Sequence, residues 1–118
     1  MEKTVREIIK ETIFRHLKEQ NGLVFGQCLS AVGWVGGTIP ELTEKDGIVE
    51  LSMADVSNGG IVTGAGLSKR RPIYVIRYQG FNWFNASIIL NYACKSKELW
   101  DVPCPIFIRG IAMEGSIG

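Results

Sequence analysis

The chain has 118 residues, 46% of them hydrophobic, enough for one compact unit with a single core. Thirteen lysines and arginines oppose twelve aspartates and glutamates, so no charge excess points to nucleic acid or a membrane surface as partner. No apolar run approaches the ~20 residues of a membrane helix, residues 1–7 lack the apolar core of a signal peptide, and a cytoplasmic location is expected.

Val5, Ile8, Ile9, Thr12, Ile13 and Leu17 recur at three- and four-residue spacing while charged residues take the other face, which predicts an amphipathic helix. It should stop at Asn21-Gly22, where glycine tolerates a left-handed turn, and Leu23-Val-Phe25 reads as a first strand. Residues 31–37 are apolar and glycine-rich, so only residues 40–45 look polar enough for a short surface helix before the Asp46-Gly47 turn. Ile48-Val-Glu-Leu51 is a second strand, and residues 58–68 form a small-residue helix whose glycines imply close packing.

Residues 72–78 are β-branched and aromatic after Pro72, a third strand with the proline at its start, where no ladder donor is needed. A helix over residues 81–98 should be apolar around most of its circumference, with burial on several sides. Pro105-Ile-Phe-Ile-Arg-Gly110 gives a fourth strand. Strands alternating with helical segments predict right-handed crossovers and a three-layer α/β/α domain with a mostly parallel sheet, one domain over residues 1–118.

The glycines at 59, 60, 64 and 66 fit neither the dinucleotide fingerprint nor the P-loop spacing, so they are read as packing residues. Lys69-Arg70-Arg71 is a solvated loop, and His16 has no nucleophile partner in view. Cys28, Cys94 and Cys104 are odd in number and far apart, against a disulfide framework or a zinc site; mostly buried, reduced thiols are expected.

Two linked stretches, Val56-Ser-Asn-Gly-Gly-Ile-Val-Thr-Gly-Ala-Gly-Leu67 and Arg71-Pro-Ile-Tyr-Val-Ile-Arg-Tyr-Gln-Gly-Phe81, couple a glycine-opened helix to a strand ending in an aromatic. In that order, with Gly26 after the first strand and Pro105-Ile-Phe-Ile-Arg109 in the last, the chain resembles the pyrimidine-binding domain of thiamine diphosphate enzymes. The resemblance covers nearly the whole chain and is nearest the β-subunit of 2-oxoacid dehydrogenase first components, with the transketolase middle domain more distant. It implies the first part of a pyrimidine-binding domain, the chain ending where the family continues.

By that resemblance Val56 and Arg77 line the pyrimidine pocket, Phe81 stacks on the ring, and Asn58 stands where the family carries its cofactor-activating glutamate. Asp55 is the nearest carboxylate, three residues too early for the role; Gln27 and Ser87 depart from acidic family positions, and about three residues are missing between Gly66 and Pro72. The cofactor's diphosphate and Mg2+ would be held by a partner subunit or domain, in a homo- or hetero-oligomer also suggested by Trp34, Trp83, Phe84 and Tyr92. An amide cannot exchange a proton near neutral pH, so the alternative is a non-catalytic α/β interaction module that has lost the glutamate. A flavodoxin-like small-molecule binder is the third reading, which the absence of a phosphate loop counts against.

Overall fold

In a computed structural model, residues 2–76 and 86–111 are described. The first helix, α1 (Val5–Glu19), is started by a reciprocal cap: Thr4 Oγ1 accepts from the Glu7 amide at 3.2 Å, and the Glu7 carboxylate accepts from the Thr4 amide at 2.7 Å. Only Ile13 and Leu17 of α1 are buried, while Val5 and Ile8 stay exposed. The left-handed residue after α1 is Asn21 (φ 53°) rather than Gly22. Gly22 is there for a different reason, since a methyl group on it would lie 2.2 Å from the His16 ring.

Four strands, β1 (Gly22–Gln27), β2 (Ile48–Leu51), β3 (Arg71–Ile76) and β4 (Phe107–Gly110), form one parallel sheet in the order β2-β1-β3-β4. Val24 faces Ile48 on one side and Ile73 on the other, and Val75 pairs with Arg109. The two-residue period of the strands divides the core. Val24, Ile73 and Val75 face Ile13 and Leu17 of α1 with Leu29 and Ile39, whereas Phe25 and Tyr74 face Val62 of the helix α3 (Asp55–Leu67). Helices therefore cover both faces of an all-parallel sheet, as the alternating pattern predicts.

Three expectations are corrected. The helix between β1 and β2 is α2 (Ala31–Gly37), and residues 40–45 contribute only a 3-10 turn at Glu44–Asp46. The apolar segment is drawn onto the sheet because Trp34 and Val35 pack against the core, even though its glycines make it a poor helix former. The third helix begins at Asp55, three residues before the expected start. The long helix over residues 81–98 is broken: its described part is α4 (Ala86–Ile88), a π-helical turn (Ile89–Ala93) and α5 (Ser96–Trp100), with residues 81–85 outside the described range. Of its apolar residues Ile89 is buried, whereas Leu90 and Tyr92 are at the surface, Tyr92 stacked on Trp100 at 6.0 Å.

The reading of the α3 glycines as packing residues holds at Gly66 but not at Gly64, which has no described neighbour within 4 Å, and Gly60 has only an ordinary contact, Ile88 at 3.8 Å. A methyl group on Gly66 would sit 2.7 Å from Cys104 Sγ, and that thiol reaches the Thr63 carbonyl at 3.4 Å. The thiols are not mostly buried: Cys28 and Cys94 are exposed and Cys104 is intermediate.

Candidate functional site

In an open parallel sheet, ligands bind beyond the carboxyl ends of the strands, at the point where neighbouring strands connect in opposite directions. Here that point lies between β1, whose chain continues to β2, and β3, whose chain continues to β4. Around it stand Cys28–Ser30 after β1, residues 52–56 after β2, and Gly110–Ile111 at the end of β4.

Of the four residues singled out by resemblance, two are described. Val56, in the first turn of α3, is 64% exposed. Asn58, one turn in, is 1% exposed, and its Nδ2 donates to the Ser52 carbonyl at 2.9 Å, closing the β2–α3 connection from inside. These neighbours in sequence thus face different surroundings, one solvent and the other the interior. Arg77 and Phe81 lie outside the described residues.

Glu50 is a site residue that the reading of the sequence did not single out. At the carboxyl end of β2 its Oε1 accepts from the Ser30 amide at 2.7 Å. Burial pushes its carboxyl up, but amide hydrogen bonds from Ser30, Leu29 and Cys28 outweigh this and hold it below the ordinary carboxylate range. The only available signal was a single acid in an otherwise apolar strand. Glu50 anchors the β1–α2 connection, in which Cys28 takes φ 54°.

Arg109 is a second such case, a lone cation in β4. Its Nη2 donates to Thr38 Oγ1 at 2.9 Å, and burial draws its pKa down.

His16 joins α1 to the sheet, its Nε2 2.7 Å from the Arg71 carbonyl, and Arg70 of the basic loop donates from Nε to the Asn21 carbonyl at 3.0 Å. Both are structural contacts at the amino ends of the strands. Of two open depressions of about 290 Å³, one runs along α1 at Phe14 and Pro40 and the other lies at the amino ends of the strands, at His16, Pro72 and Phe107. Among the described residues no three His, Cys, Asp or Glu side chains gather as a metal site, and no helix is long and apolar enough to cross a membrane.

The fold defines the class: a parallel α/β domain with helices on both faces of its sheet. No family model and no curated protein matches the chain.

Proposed function

We propose that this chain is the pyrimidine-binding half of a thiamine diphosphate-dependent enzyme of the transketolase or 2-oxoacid dehydrogenase kind, working with a subunit or domain that binds the diphosphate and Mg2+. The observation that carries the reading is the position of the first turn of α3. Asp55 and Val56 open that helix directly beyond β2, next to the point where the sheet reverses direction. An exposed valine there offers an apolar wall for a planar ring.

The cofactor supplies the carbanion chemistry, and the protein's part is to place the ring and move a proton at its nitrogen. Asn58 is ill suited to that task, because its amide does not exchange a proton near neutral pH and its Nδ2 is engaged with the Ser52 carbonyl.

Calorimetric titration of thiamine diphosphate with MgCl2 tests the reading, on the chain alone and on its complex with the co-purifying diphosphate-binding subunit. Binding is expected in the complex, and Val56→Asp, which replaces the apolar wall by a charge, should weaken it. No heat in either sample would refute it.

A second reading, the non-catalytic α/β interaction module, is favoured by one observation, the committed amide of Asn58. It predicts an assembled complex that neither binds nor turns over the cofactor.

A further inference from the structure

The last five residues of α2 all have positive φ: Gly33 at 62°, Trp34 at 60°, Val35 at 46°, Gly36 at 65° and Gly37 at 78°. Glycine occupies such angles freely, but tryptophan does so rarely, and a β-branched valine there is an outlier. A left-handed run of this length persists only when its surroundings hold it, and strain of this kind gathers at binding sites and switches.

Two arginines meet the end of this turn. Arg109 reaches Thr38 from β4 through Nη2, while its Nη1 is buried with no hydrogen-bond partner among the described residues. Arg6 comes from α1, close enough that a methyl group on Gly37 would lie 2.8 Å from its Cδ. No ion pair involves either guanidinium among the described residues. The Nη1 donor of this half-buried cation thus has no acceptor among the described residues, and guanidinium forks are suited to carboxylate and phosphate.

We propose that Arg109 and Arg6 form a binding site for a small oxyanion at Gly37–Thr38, covered in the present state by the left-handed turn. The anion enters when the turn swings off Arg109 toward ordinary backbone angles, which frees Nη1. The glycines report this movement cleanly. A methyl group at Gly33 or Gly36 meets nothing within 4 Å, so alanine there disfavours the left-handed state through the backbone alone.

The test follows the melting temperature of the full chain, and amide exchange over residues 31–38, against inorganic phosphate and against acetate, with KCl holding ionic strength constant. Wild type should show saturable stabilisation and faster exchange in the turn. Arg109→Gln and Arg6→Gln should each weaken binding about tenfold or more, and Gly33→Ala/Gly36→Ala should tighten it. A response to phosphate alone identifies a phosphate site; a response to both identifies a site that also takes carboxylates. No response in wild type and in the double-alanine variant, or an undiminished response in Arg109→Gln, would overturn the proposal and leave Arg109 as a cap on α2. If Arg109→Gln does not fold, Arg6→Gln and the alanine pair carry the same decision.

Discussion

The side-chain amide of Asn58 donates to the carbonyl of Ser52 at 2.9 Å, tying the first turn of α3 back to the end of β2. Asn58→Ala should therefore lose roughly 0.5–1.5 kcal/mol of stability, the net worth of one hydrogen bond, since the Ser52 carbonyl keeps the Ala54 amide. Asn58→Glu should lose more, because it places a carboxylate at a position that is 1% exposed, and it should not improve cofactor binding. Urea unfolding of both variants checks the order; a glutamate variant as stable as wild type would show that the connection opens readily.

Glycines on α3 should respond with opposite signs. Alanine at Gly66 drives a methyl group to 2.7 Å from Cys104 Sγ and 3.2 Å from Ile106, so Gly66→Ala should destabilise by about 1–3 kcal/mol. At Gly64 a methyl group meets nothing within 4 Å, and Gly64→Ala should stabilise by about 0.5–1 kcal/mol through helix propensity. Thermal unfolding of the pair gives the comparison, and equal shifts would contradict the close approach of Cys104.

Acid should release the link between α1 and the turn before β2. The Lys18 ammonium beside Asp46, at 2.5 Å, together with hydrogen bonds from Thr43, holds the Asp46 carboxyl down at about 2. A depressed folded-state pKa means that the contribution is complete above the ordinary aspartate range and disappears as pH falls from near 4 through about 2. Asp46→Asn should flatten the stability curve in that window while leaving its shape above pH 5 unchanged. Because the pair is solvent-exposed, the effect should also shrink in high salt.

Thiol labelling should resolve two classes. Cys28 and Cys94 are exposed and should react promptly with a chromogenic disulfide at pH 8. Cys104 is partly buried, burial pushes its thiol up, and its sulfur is engaged with the Thr63 carbonyl, so it should lag until the chain unfolds. Three equally fast thiols would mean that the contact between β4's approach and α3 is loose.

The sequence by itself determined the alternation of strands and helices, the parallel sheet and the bounds of β2, Ile48–Leu51, because burial on two faces leaves a local signature in apolar runs. It also marked the glycines at 59, 60, 64 and 66 alike as packing residues, a reading that holds at Gly66 and fails at Gly64. Only tertiary structure decided the rest. Residues 31–37 became α2 because Trp34 and Val35 have core to cover, which overrides a poor local propensity. The start of α3 moved to Asp55 because the Asn58–Ser52 bond joins residues six apart around a turn. Whether an asparagine faces a ligand or the interior is set by helix phase relative to the sheet, and that decides the roles of Val56 and Asn58. Glu50 and Arg109 were plain charged residues in strands until the fold brought one to the amides after β1 and the other to Thr38. Such meetings link distant segments, and a polar residue's place in the sequence carries no record of its partner.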